Sequence, residues 1–196
     1  MTSTARGRPR DQAIDAAILA AARELVTDGG YAAMSMDAIA SRAGVSKPTL
    51  YRRWPSRGAL LIEAAFGEVP QVDPPDTGDI ANDFKTTFRW GVAHVADPVG
   101  RVALPALLAE AAENPVMREM LGSRLTQPAF ARIVTSLERA QQRGQVREGV
   151  DLLLVLEACT GAVIARLTMT GRPIDDAFAD ELVELIMLGL TSKKRR

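Results

Sequence analysis

With 196 residues, 47% of them hydrophobic, and a formal charge of zero, the chain has the apolar content for one large core or two smaller ones. Its single cysteine, Cys159, and single histidine, His94, exclude an intrachain disulfide, a multi-thiolate cluster and a histidine metal pair, so neither metal nor cofactor is expected. Thr2, Ser3, Thr4, Arg6, Arg8 and Arg10 lack a signal-peptide core, and no apolar run is expected to reach the roughly 18 residues of a membrane span, which predicts a cytoplasmic protein without a membrane partner.

The zero charge is a cancellation. Residues 1–58 hold nine Lys/Arg against five Asp/Glu, residues 59–192 eleven against nineteen, and Lys193, Lys194, Arg195 and Arg196 restore the balance. A basic N-terminal quarter on an acidic body suits a protein that meets phosphate at one end only.

From 11 to 28, Ile14, Ala17, Ile18, Ala21 and Leu25 recur at helical spacing, and Gly29-Gly30 is expected to end this first helix. Ser35 caps a short second helix through Arg42, with Asp37 in its first turn and Ile39, Ala40 and Ala43 inward. Gly44 makes a turn, Val45 plugs it, and Ser46 caps a third helix that carries Pro48 in its first turn and ends at Trp54-Pro55. Ser56 caps a fourth, running through Leu60, Leu61 and Ala64 to about Glu68. The Pro-rich stretch 69–78 reads as a loop. Beyond it, helices are predicted at 79–96, 99–113, 115–125, 129–143, 151–170 and 176–191, with Pro105 kinking or breaking the second of these.

A helix-turn-helix needs a small residue where its helices cross, a turn residue tolerant of positive φ, and apolar plugs that fix the angle. Ala40, Gly44, and the trio Ile39, Val45 and Leu50 fill these roles. The second of the paired helices must present polar groups at its N-terminal end, and Ser46, Lys47, Pro48, Thr49, Tyr51 and Arg52 do so.

The whole string Ala40-Ser41-Arg42-Ala43-Gly44-Val45-Ser46-Lys47-Pro48-Thr49-Leu50-Tyr51-Arg52-Arg53-Trp54-Pro55-Ser56-Arg57 resembles the TetR (tetracycline-repressor-type) family, a resemblance that covers about residues 11–66. It implies an all-α homodimeric repressor whose C-terminal domain binds a small-molecule inducer and whose ligand state sets the spacing of two DNA heads. Trp54 stands where that family more often has Phe. The expected architecture is therefore an N-terminal three-helix helix-turn-helix DNA-binding domain within 11–68, followed by a C-terminal helical ligand-binding and dimerisation domain over 79–192.

On that frame Lys47 is placed to donate to guanine, while Pro48 and the Tyr51 ring offer apolar surface to a thymine methyl. Ser35, Ser46, Thr49, the Tyr51 hydroxyl, Arg52 and Arg57 are expected to hold phosphates of a double-stranded operator. Arg6-Gly7-Arg8-Pro9-Arg10 resembles the core of an AT-hook, so an extended arm placing Arg8 in a narrow minor groove stands beside a basic tail of no fixed structure.

Residues 152–169 are apolar nearly all round, with only Glu157 and Arg166 charged, and the final helix shows two apolar faces. The surplus predicts a four-helix dimer interface including Gly161, Ala162, Val183, Ile186, Met187 and Leu190. Candidate effector-pocket residues are Phe84, Phe88, Trp90, His94, Met117, Met120, Phe130 and Met169, each with plain core packing as the alternative. Cys159 reads as a small buried hydrophobe. No Glu-x-x-His pair, second histidine or glycine-rich phosphate loop is present, so no enzyme is expected. The alternative to an effector-responsive regulator is an architectural DNA-binding protein, which leaves the acidic C-terminal part without a role.

Overall fold

A computed structural model describes residues 8–67 and 73–191, and every regular element among the described residues is helical. In chain order these are α1 (Arg8–Ala33), α2 (Met36–Ala43), α3 (Lys47–Arg53), α4 (Arg57–Phe66), α5 (Ile80–Ala96), α6 (Pro98–Glu113), α7 (Pro115–Leu121), α8 (Gln127–Gln142), α9 (Leu152–Ala165) and α10 (Asp176–Thr191). Single π-helical turns cover Gly122–Thr126 and Arg166–Thr170.

Side-chain caps fix where seven of these helices begin, with Asn114 capping α7 and Asp175 capping α10. The hydroxyls of Ser35, Ser46 and Ser56 accept from the amides of Ala38, Thr49 and Ala59 at 3.1, 3.3 and 3.1 Å. Asp79 and Asp151 each accept two first-turn amides. Each cap satisfies donors that the helix itself leaves open, worth about 1 kcal/mol.

The chain packs as two compact units. The first comprises α1–α4 together with α6 and α7, and its fully buried side chains include Ile18, Met34, Ile39, Leu50, Leu60, Leu61 and Leu107. Helix α6 lies against α1 and α4, burying Ala103, Leu104, Leu107 and Ala111. The sequence boundaries at 68 and 79 follow the chain, whereas packing assigns α6 and α7 to the N-terminal helices, because that apolar stripe is what covers them. Arg42 pairs with Glu24 (3.2 Å) and Asp28 (3.4 Å), tying α2 to α1. Arg53 pairs with Asp11 (2.7 Å) and Asp15, tying α3 to the same helix.

The second unit contains α5 and α8–α10. Its core runs through an edge-to-face row, Phe84–Phe88–Phe178, with ring centroids 6.4 and 6.3 Å apart, alongside Leu137, Leu156 and Val183. Arg89–Asp180 and Lys85–Glu184 (2.6 Å) bind α5 to α10. The buried Asp83 carboxylate accepts from the Thr77 amide (3.0 Å) and hydroxyl (2.7 Å), which folds the incoming loop onto α5.

The first helix is interrupted at Gly29-Gly30 as expected: Gly30 takes φ 70° and ψ −172°, outside helical values, and only a short helical piece follows to Ala33. Other expectations change. Of the kink or break expected at Pro105 there is no break: α6 runs through it, since its buried stripe outweighs one missing hydrogen bond. The predicted helices at 115–125 and 129–143 are joined through a π-helical turn at Gly122–Thr126. Leu152–Thr170 forms a 19-residue run long and apolar enough, by length and composition alone, to cross a membrane, contrary to the expectation that no such run exists. Val155, Leu156, Cys159 and Val163 on this run are buried in the core of the second unit.

Candidate nucleic-acid interface

The crossing of α2 and α3 depends on one glycine. Gly44 adopts φ 65° and ψ 31°, a left-handed conformation that costs other residues energy, and its amide donates to the Ala40 and Ser41 carbonyls. The Val45 amide also reaches the Ala40 carbonyl, at 3.0 Å. Ile39, Ala40 and Leu50 are buried beneath the turn and Val45 is half-buried. Trp54, 3% exposed, closes the far end of α3, its indole N–H donating to Glu63 Oε2 at 2.7 Å.

With Leu50 inward, Lys47, Pro48, Tyr51 and Arg52 are left exposed on α3. Lys47 and Tyr51 are one helical turn apart and share a face. Tyr51 is 51% exposed, unusual for a large aromatic ring with a packed core one residue away. Lys47 Nζ lies 2.7 Å from Asp37 Oδ1. Hydrogen bonding to that carboxylate, followed by its charge, raises the Lys47 pKa and keeps the ammonium charged. Both partners are exposed, and such a pair contributes about 0–1 kcal/mol, so a base or phosphate oxygen can replace Asp37 at little cost.

Ser35 and Ser46 use a lone pair for capping, which leaves each hydroxyl proton available to donate. The Ser46 and Thr49 hydroxyls are 2.9 Å apart and share one such proton. Arg52 is exposed near the end of α3. Arg57, the first residue of α4, places its guanidinium carbon over the Tyr31 ring, 3.8 Å from the centroid. Arg6 and Gly7 of the predicted arm lie outside the described residues, as does the Arg8 side chain. The backbone is helical from Arg8 onward instead of extended, because proline is accepted in a first helical turn.

The eight pocket candidates divide between the two units. Phe84 and Phe88 are buried in the second unit's core and Phe130 packs against it, while Met117 and Met120 belong to α7 in the first unit. Met117 covers Gly58 so closely that a Cβ there would collide with its terminal methyl. Met169 is 81% exposed. Trp90 and His94 are half-buried, with His94 Nδ1 donating to the Trp90 carbonyl at 2.6 Å. Cys159 is buried, and desolvation pushes its thiol pKa up to about 12.

Three of the expected interface residues need correction. Val183, Met187 and Leu190 are buried in their own unit's core, facing α5 and its neighbours instead of a partner. Ile186 and Ala162 are partly buried against the same core. The exposed apolar positions are Leu153, Leu154, Ala158 and Gly161 on α9 and Leu185 and Leu188 on α10. The sequence showed two apolar faces on α10, but periodicity alone does not say which one a chain keeps for itself.

Sequence reasoning missed Tyr31, Glu110 and Asp37. The Tyr31 hydroxyl donates to Glu110 Oε2 at 2.7 Å across 79 positions of sequence, and no local pattern marks such a pair.

Comparison with known proteins agrees with this geometry. Residues 18–64 match the family model described as bacterial regulatory proteins, tetR family, and residues 74–186 match the tetracyclin repressor-like C-terminal domain. The HTH-type transcriptional regulator YdeS of Bacillus subtilis is 30% identical over 91% of this chain and 90% of its own length. The DNA-binding transcriptional repressor TetR of Mycobacteroides abscessus is 30% identical over 95% of this chain and 96% of its own. The crystal structure of the TetR family transcription regulator SCO0332 superposes with a TM-score of 0.70 at 32% identity, covering 91% of this chain and 99% of that one.

Proposed function

The chain belongs to the TetR family of bacterial transcriptional regulators, and from that premise we propose that two copies of it grip a palindromic operator through α3 and release it when a small molecule binds. The observation that carries the reading is the exposed Lys47–Tyr51 face of α3, held at a fixed angle by the left-handed Gly44 turn. Lys47, Pro48 and Tyr51 meet base edges in the major groove, and Ser35, Ser46, Thr49, Arg52 and Arg57 meet phosphates. Two-fold symmetry comes from the exposed apolar positions of α9 and α10, which a second copy covers with the same positions. The effector enters the second unit, and its chemistry is left open by the dispersal of the candidate pocket residues. Expression in the cytoplasm, where DNA is reached directly, goes with this role.

Selection of bound fragments from random duplex DNA tests the central claim. A recovered palindrome with half-sites about one helical turn apart supports it. Fragments without symmetry, or no enrichment at all, overturn it. A thermal-shift screen then tests the effector, because a ligand of the folded state must raise the unfolding midpoint.

A further inference from the structure

We propose that Tyr31 and Glu110 are positioning residues for Arg57, holding its guanidinium where it meets a DNA phosphate. The inference rests on the reading of Arg57 as a phosphate contact and goes one step behind it.

Arg57 opens α4, with its Cζ 3.8 Å from the centroid of the Tyr31 ring. The negative face of an aromatic ring holds a cation and fixes the plane of a guanidinium. Unrestrained, this long side chain surrenders its rotamer freedom on meeting a phosphate, and a stacked one has already done so. The stack is only as rigid as the ring beneath it. Tyr31 follows directly on the Gly30 kink of α1, and its hydroxyl donates to Glu110 Oε2 on α6 at 2.7 Å. The carboxylate is itself confined: Glu110 Oε1 lies 3.3 Å from the place a Cβ on Gly58 would take, beside the Met117 side chain. Three helices of one compact unit therefore meet at Arg57, with α4 supplying the cation, α1 the ring, and α6 the acceptor that fixes the ring's far edge. Burial first, and then the Glu110 hydrogen bond, raise the Tyr31 pKa, so the phenol stays a donor throughout the neutral range.

A merely structural Tyr31–Glu110 bond predicts something different. It would join α1 to α6 and leave the count of phosphate contacts unchanged. The two are separated by the salt dependence of binding of the full-length chain to a random-sequence duplex, a probe that requires no knowledge of the operator. Arg57→Ala should reduce the slope of log K against log salt by about 0.9, the value for one lost phosphate contact. Tyr31→Phe keeps the ring and removes the tether. It should weaken binding about fivefold, as expected for one hydrogen bond, and lower the slope in the same direction. In an Arg57→Ala background the same Tyr31→Phe change should have no effect on either quantity. Glu110→Gln keeps an acceptor oxygen and should restore most of what Glu110→Ala loses.

Equal losses from Tyr31→Phe in the parent chain and in the Arg57→Ala background, or no loss in either, overturn the positioning role. An unchanged slope for Arg57→Ala alone overturns the phosphate reading itself, a result visible before Tyr31 is touched. Tyr31→Phe removes one oxygen atom, so it keeps the test decisive if Glu110→Ala proves too unstable to purify.

Discussion

Lys47 faces a choice between partners that its surroundings make nearly neutral. Its bond to Asp37 is exposed and weak, whereas a guanine edge offers two acceptors inside a groove of strongly negative potential. Lys47→Ala should therefore cost about 1–3 kcal/mol on the selected operator, with the loss concentrated at one base pair. Asp37→Asn should act in the opposite sense. Removing a carboxylate beside the phosphates tightens binding to cognate and random DNA alike, which a titration on both duplexes would reveal. Cys159 is a simpler case. With its thiol pushed up to about 12 by burial, it should resist alkylation at pH 8 in the native protein and react fully after unfolding; fast native labelling would contradict the buried placement. The exposure of Lys47 and Tyr51 was legible in the sequence because a cap and a one-turn spacing fix them locally. Tyr31, Asp37 and Glu110 were not legible, since their roles arise only where separate helices meet.

Helices were read well wherever a capping side chain announced them, as Ser35, Ser46, Ser56, Asp79 and Asp151 did. They were misread where the backbone did something for which no residue type is diagnostic. The π-helical turns at Gly122–Thr126 and Arg166–Thr170 carry no compositional mark, whereas the interruption of α1 at Gly30 follows from the glycine pair. Two substitutions test the element-level account. At Gly44 a Cβ would meet nothing within 4 Å, so the penalty of Gly44→Ala is conformational alone, about 1–2 kcal/mol, and Gly44→Asn should recover part of it. Chemical unfolding curves of the three proteins would check the order Gly, Asn, Ala. At Pro105 the prediction is a gain. Pro105→Ala restores an amide donor inside α6 and should stabilise the protein by up to about 3 kcal/mol; a lower unfolding midpoint would mean that the proline ring is itself part of the packing.

At the scale of the molecule, the question is why one stretch should be apolar all round. A helix buried on one side needs one apolar stripe, yet Leu152–Thr170 is apolar enough to pass for a membrane span. Val155, Leu156, Cys159 and Val163 account for the inward stripe. Leu153 and Leu154, 53% and 60% exposed, lie outside it, as do Leu185 and Leu188 on α10 at 67% and 69%. A fully buried leucine contributes roughly 1.5–3 kcal/mol, so leaving four of them in water on each chain forfeits several times the worth of a surface ion pair. In the proposed dimer, a second copy of these faces would remove that loss and supply the two-fold axis that a palindrome requires. Leu188→Asp places a charge on the open face, so the variant should fold, with an unchanged circular dichroism spectrum, and sediment as a monomer. Its operator affinity should drop steeply although α2 and α3 are untouched, because each monomer then holds one half-site alone. Val183→Asp is the control. That side chain is fully buried in its own core, so the variant should lose helicity and aggregate. If Leu188→Asp sediments as a stable dimer, the α9–α10 surface is not the interface, and two-fold operator recognition must be built elsewhere on the chain.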